Sequence, residues 1–150
     1  MRAATSLKVL DGDAAVRAAV GTELGISDWY DITQQRIDEF VAATGDIRCT
    51  YFAVSLSNMF LPQIVEVRGF ALGVNYGTQA VQVGGRLSAG DRVRATVSLT
   101  DVADVPAGIQ TTMVIAIERH TSADDSQSCV IESLSRWMNP TAEADKDVAK

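Results

Sequence analysis

Histidine is all but missing from this chain: His120 is the single one among 150 residues. It lies in Glu118-Arg119-His120-Thr121-Ser122, at the end of a strand-like run and beside a polar turn, and reads as a solvated strand-end residue rather than a catalytic one. Cysteine is nearly as scarce. Cys49 and Cys129 stand apart, without Cys-x-x-Cys spacing and with no histidine close enough in sequence to complete a zinc site. Both are expected as free thiols in a reducing compartment, and no metal or other cofactor is expected. Basic charge is short too, with 13 Lys and Arg against 19 Asp and Glu and a net charge of -6. Nucleic acid and anionic membrane both demand a basic footprint, so neither is an expected partner. No apolar run reaches membrane length, and the N-terminus lacks a signal-peptide pattern. The expectation is a cytoplasmic protein whose partner is a hydrophobic small molecule or another protein.

What the chain does contain is a domain's worth of patterned apolar residues, 47% of the total against 21% charged. One domain over residues 1–138 is expected, followed by a disordered polar tail over 139–150. Two helices read from caps and spacing: a short one over 14–20 with Asp13 as N-cap and Gly21 as terminator, and a second over 34–44 with Thr33 as N-cap and Gly45 as terminator. The second places Ile37, Phe40, Val41 and Thr44 on one face, with Asp38 and Glu39 towards solvent. A third helix, Thr50 to Ile64, is apolar on nearly every side, with Ser55, Ser57 and Asn58 as its polar interruptions and Pro62 near its end. An all-round apolar helix is a buried one. The rest is rich in β-branched residues and predicts strands over 65–67, 71–76, 80–87, 92–102, 109–120 and 128–138. Val93, Ala95, Val97 and Leu99 alternate with Arg92, Arg94, Thr96 and Ser98. Such a strand packs one face on an apolar layer and turns the other to water, as in an antiparallel sheet covering a helix. Turns are expected at Gly84-Gly85, Ala89-Gly90-Asp91, Pro106-Ala107-Gly108 and Ser122-Ala123-Asp124-Asp125.

Three stretches carry a family likeness. Gly25 to Asp46 reads GISDWYDITQQRIDEFVAATGD, Gly73-Val74-Asn75-Tyr76-Gly77 follows the third helix, and Gly90-Asp91-Arg92-Val93-Arg94-Ala95 opens a later strand. In this order they resemble the MaoC-like dehydratases, which include the R-specific enoyl-CoA hydratases and the NodN-type proteins, over roughly residues 20–138. The resemblance implies an α+β hot-dog fold, an antiparallel sheet wrapped around a central helix, and a homo-oligomer. It also shows what has changed. Family members follow the aspartate of the Gly-Asp pair five positions later with histidine, then a long loop ending in His-Gly. Here Asp46 is followed by Ile47-Arg48-Cys49-Thr50-Tyr51 and the chain enters the helix directly. The Lys-Val-Arg-Phe strand of the family corresponds to Ala80-Val81-Gln82-Val83, so two cations suited to a phosphate-bearing carrier are missing.

Adding water to an enoyl thioester requires a base to activate the water and an acid to protonate carbon, work usually given to histidine beside a carboxylate. Tyr51 stands at the histidine position, and a phenol with a pKa of about 10 donates hydrogen bonds at neutral pH without activating water. Enoyl hydration is therefore not expected. The resemblance implies another use of such a pocket, because MaoC-like proteins recruited into polyketide pathways are associated with ring closures on polyenes and macrolactones, [4+2] or [6+4] cycloadditions, which need no acid–base pair. Restraint of a flexible chain in a reactive shape and one donor on a carbonyl supply the acceleration. On this reading Tyr51 and Asp46 are the catalytic candidates, and Trp29, Phe52, Met59, Phe60, Asn75 and Tyr76 wall the cavity. Core packing is the competing role for Phe52 and Phe60, and ordering of the turn after Gly45 is the competing role for Asp46. Two alternatives stand beside the cyclase: a catalytically inactive subunit of a heteromeric dehydratase, and an acyl-thioester-binding protein.

Overall fold

The computed structural model describes residues 2–121 and 125–140. Its largest element is a six-stranded sheet built from β2 (Thr22–Ile26), β3 (Tyr30–Asp31), β5 (Leu72–Val83), β6 (Arg92–Val105), β7 (Gly108–His120) and β8 (Asp125–Met138). The order is β2-β6-β7-β8-β5, with β3 also on β6, and every pairing is antiparallel. Strict alternation in β6 does what it predicts: Val93, Ala95, Val97 and Leu99 are wholly buried on the inner face. They meet Ile109, Met113, Ile115 and Ile117 of β7 and Cys129 and Ile131 of β8, all buried in the same core. Arg94 departs from the water-facing expectation. It is 8% exposed, ion-paired with Glu118, 4.5 Å from the Trp29 ring centroid, and it donates to the Arg2 carbonyl at 2.6 Å. Burial of a guanidinium is tolerable only with such compensation.

Helix α2 (Gln34–Thr44) begins and ends where its caps predict. The Thr33 hydroxyl accepts from the Arg36 N–H at 3.2 Å, and Gly45, at φ 72°, donates to the Val41 carbonyl at 2.8 Å. Thr44 is exposed, not part of the apolar face, and its hydroxyl donates to the Phe40 carbonyl at 2.7 Å. The first helix, α1 (Asp13–Ala18), differs at its start. Gly12 is the cap residue and Asp13 lies inside the first turn, paired with Arg17 at 2.5 Å one turn on.

The expected long helix over 50–64 is two short ones, α3 (Phe52–Ser55) and α4 (Ser57–Ile64), meeting at Leu56. The Ser55 hydroxyl donates to the Phe52 carbonyl at 2.6 Å, a local bond that competes with the helical ladder where it breaks. Nor is this pair buried all round. Phe52, Ala53, Leu56, Phe60 and Ile64 form one buried stripe, while Ser55, Asn58, Pro62 and Gln63 are exposed. The stripe lies on the sheet, α4 against β6 and β7 and α3 against β8.

Three strands escaped the sequence pattern. β1 (Lys8–Asp11) pairs in parallel with β4 (Val65–Arg68) as a separate two-stranded sheet, and β2 and β3 both dock on β6. Each is five residues or fewer, too short for alternation to declare itself. Conversely, two strands expected over 71–76 and 80–87 are one. β5 runs through residues 77–79 by register shifts between Asn75 and Gly77 and between Thr78 and Ala80, so the Gly there marks a bulge and not a turn. All twelve residues of β5 are exposed, and among the described residues the strand pairs only with β8 and no element covers its outer edge. The hairpin at Pro106-Ala107 forms as predicted, with Ala107 at φ 65°. Residues 122–124 of the predicted turn and residues 141–150 of the predicted tail lie outside the described residues. Among the described residues, no helix is long and apolar enough to cross a membrane.

Phe60 is 1% exposed and meets Tyr30 edge-on at 6.3 Å. Replacing it with alanine is expected to destabilise the protein by about 3–5 kcal/mol, read as a lowered midpoint in urea denaturation at an unchanged slope; a loss below about 1 kcal/mol would show that this position collapses freely.

Candidate functional site

With its apolar stripe turned down onto the sheet, the α3–α4 pair turns its polar residues up and outward. Ser55, Ser57 and Asn58 then face the exposed strand β5 and the adjoining stretch of β8 across a groove. One cavity of about 370 Å³ lies there, with Val54 and Ile131 as apolar wall and Ser55, Ser57, Asn58, Asn75, Thr78 and Ser133 as polar wall. A second, of about 530 Å³, continues past Asn58 and Asn75 and is walled by Leu61, Pro62, Val65, Val67 and Trp137. The two share Asn58 and Asn75, whose side chains meet: Asn75 Nδ2 donates to Asn58 Oδ1 at 3.3 Å. The Trp137 wall is fixed from behind, its indole N–H donating to the buried Thr111 hydroxyl at 3.0 Å. Gly73 lies against the same ring, where a Cβ would come within 2.4 Å of it.

Among the described residues, no Asp, Glu, His, Lys or Arg lines either cavity, so the groove walls they form carry no charged or imidazole side chain. Its polar groups are hydroxyls and amides, which hold a ligand by hydrogen bonds and neither take nor give a proton near neutral pH.

The residues singled out from sequence divide sharply. Asn75 and Tyr76 line the groove, although the Tyr76 ring is exposed and lies 3.6 Å from the Arg136 guanidinium. Phe52 and Phe60 do not wall a cavity: Phe52 packs on Phe40 at 4.9 Å and Phe60 on Tyr30, both in the core. Their positions on the inward stripe decide this. Met59 is half-buried against the same core. Trp29 belongs to a different place, beside Arg94 and 5.9 Å from the His120 ring. Tyr51 is 59% exposed and lines neither cavity. It stands one helical turn before Ser55, whose N–H donates to the Tyr51 carbonyl at 2.9 Å. Asp46 orders its turn: Oδ2 accepts the Tyr51 N–H at 3.0 Å, and its carbonyl accepts from Cys49 N–H. Cys49 itself takes φ 53° in that turn. His120 is paired through Nδ1 with the Asp125 carboxylate across the mouth of the β7–β8 hairpin, and its side chain is partly exposed. Sequence reasoning passed over Ser55, Ser57 and Asn58 as mere interruptions of an apolar helix. Their clustering on one side was the available signal, and Thr78, Ser133 and Trp137 had none.

Among the described residues, no three His, Cys, Asp or Glu side chains gather as a metal-binding group.

No protein-family model matches the chain. A curated relative does: the 3-hydroxyacyl-thioester dehydratase Z of Mycobacterium tuberculosis is 31% identical over 152 aligned positions, covering 88% of this chain and 99% of the relative. The chain belongs to the MaoC-like dehydratase family. Solved structures agree on the fold. The R-hydratase PhaJ1 of Pseudomonas aeruginosa superposes with a TM-score of 0.57 at 14% identity, over 81% of this chain and 83% of that one. The ChsH1-ChsH2 complex of Mycobacterium tuberculosis gives 0.52 at 16%, over 85% and 94%. The hot-dog architecture expected from the MaoC-like motifs is thus the one present, in a family member whose groove is uncharged.

On the inner face of β8 Cys129 is fully buried, and burial pushes its thiol up from the ordinary 9.0 to about 11. The folded chain therefore holds the proton more tightly than the unfolded chain. The stability this contributes is whole below pH 9.0 and is lost as pH rises through about 11. A Cys49→Ser protein, which isolates Cys129, is expected to resist thiol labelling at about pH 8 until denatured; rapid labelling of the folded protein would contradict its burial.

Proposed function

We propose that this MaoC-like protein has given up hydration and uses the α3–α4/β5 groove to fold a hydrophobic, uncharged polyene chain or macrolactone into a ring-closing shape, in a [4+2] or [6+4] cycloaddition. The observation that carries the reading is the groove's lack of any charged or imidazole side chain. Hydration and dehydration of a thioester move protons to and from carbon and oxygen, and the relative's name assigns it such a dehydration. A pericyclic step moves none. Its barrier falls when reacting carbons are held within contact distance, which apolar walls and a few fixed hydrogen bonds accomplish. Tyr51 lies outside both cavities at the N-terminal end of α3, so the donor role proposed for it requires a ligand whose conjugated carbonyl extends out of the groove past Ser55. Asp46 supports it by capping the turn that carries Tyr51.

The protein is expected not to hydrate crotonyl-CoA above background, followed as loss of enoyl absorbance; a turnover abolished by Asp46→Ala would overturn the proposal. On a linear or macrocyclic polyene, product formation should exceed the spontaneous reaction. Tyr51→Phe should then cost about 1–3 kcal/mol, roughly tenfold to a hundredfold in rate. Unchanged acceleration removes Tyr51 from the mechanism, and no acceleration by the native protein removes the cyclase.

A second reading, a catalytically silent subunit, has its own observation in β5. This edge strand is exposed along its length and carries Leu72, Val74 and Tyr76 at 56%, 45% and 56% exposure, a template for pairing with another chain. The ChsH1-ChsH2 structure is of a complex of two named components, and a dehydratase partner would occupy this edge in the silent-subunit case. In the cyclase case a second copy of this chain does so and flanks the groove. Sedimentation distinguishes them. A homo-oligomer built on β5 is expected, reduced to monomer by Val74→Lys; a strictly monomeric chain at high concentration removes self-pairing and favours the silent subunit.

A further inference from the structure

The two cavities of the groove differ in chemistry, and the boundary between them is a single pair of side chains. On the β8 side of that boundary the wall offers the hydroxyls of Ser57, Thr78 and Ser133. Beyond it the wall is hydrocarbon and indole: Leu61, Pro62, Val65, Val67 and Trp137. Asn58, from α4, and Asn75, from the bulged part of β5, reach across and join at 3.3 Å. Both side chains belong to exposed residues, and their bond is at the long end of the range for N–H···O. A primary amide has two donors and an acceptor with two lone pairs. The single bond between them leaves the Asn58 NH₂ and the Asn75 carbonyl oxygen to bond a third group.

The geometry points to Asn58 and Asn75 as a specificity-determining crossbar that reads one carbonyl or hydroxyl at the middle of a two-part ligand. The ligand lays its oxygen-bearing part among the serine and threonine hydroxyls and its hydrocarbon part on the Leu61–Trp137 side. The chemical class is a neutral, segmentally oxygenated chain or large ring. Phosphate and carboxylate groups find no cation in either cavity, and a plain hydrocarbon leaves the hydroxyl wall and both amides desolvated without partners, at a cost. An oxygen that accepts from the Asn58 NH₂ or donates to the Asn75 carbonyl adds a hydrogen bond beside the amide–amide one, in place of one made to water. This inference rests on the groove being the binding site proposed above and adds which part of the ligand goes where.

Two uncharged fluorescent probes of equal length test it: the methyl ester of a conjugated tetraene fatty acid, and the same ester bearing hydroxyls on its ester-proximal half. Each is titrated against the native protein and against Asn58→Leu and Asn75→Val. Because both side chains are exposed, neither change should prevent folding, which far-ultraviolet circular dichroism checks. The native protein is expected to bind the hydroxylated probe about tenfold more tightly, one to two hydrogen bonds' worth. Either variant should reduce that preference, leaving the part owed to the Ser57, Thr78 and Ser133 hydroxyls, while holding the plain tetraene at least as well. A preference unchanged in both variants overturns the crossbar, as does equal binding of the two probes by the native protein, and both results leave the groove as a ligand site. Failure of the native protein to bind either probe overturns the groove reading along with it.

Discussion

Everything at the groove follows from one burial. Phe52, Ala53, Leu56, Phe60 and Ile64 lie at helical spacing and are all withdrawn from water. Burying each of the large members contributes roughly 1.5–3 kcal/mol, more than any polar contact the same helices make. That preference sets the roll of α3 and α4 about their axes. Once the stripe faces Val97, Leu99 and Met113, the residues between stripe positions must face the other way. Ser55, Ser57 and Asn58 are thereby turned to β5, and the groove acquires hydroxyl and amide groups without any charge.

The charged side chains gather elsewhere for a complementary reason. Arg94, Glu118, Arg92 and His120 sit on outward positions of β6 and β7, where period-two alternation sends every second side chain away from the helices. Trp29 from the segment after β2 covers them, with Arg92 and Arg94 both near its ring. The lone histidine is thus at one end of the sheet while Asn75 pairs with Ser135 towards the other. The register of two hairpins keeps the imidazole and the groove apart, which no side-chain rotation changes.

Strand β5 links the site to the question of partners. Among the described residues it is held by β8 alone, with two register shifts along its length, and it faces the polar side of α4 across the groove. The same strand therefore supplies one wall of the groove with one set of side chains and an unpaired edge with its backbone. A second chain on that edge would stiffen the wall that carries Asn75, so assembly and ligand binding act on a common element.

Much of this was legible in the residues. The caps at Thr33 and Gly45 fix α2 because they satisfy end groups locally, and the alternation through Val93, Ala95, Val97 and Leu99 fixes which face of β6 is buried. That the single histidine lies far from Asp46 was legible as well, since it is a matter of sequence alone. Placement required the folded chain. That Phe52 and Phe60 belong to the core, that residues 50–64 break at Leu56, and that Trp29 joins Arg94 instead of the groove depend on which side of each element meets the sheet. Asn58 and Asn75 are 17 residues apart. They become neighbours only because the stripe on α4 is pressed onto β6 and β7 while β5, at the edge of the same sheet, flanks its polar side. Local patterns encode periods and caps, which neighbouring residues determine among themselves; the meeting of two amides from different elements is decided by long-range packing, and no local pattern contains it.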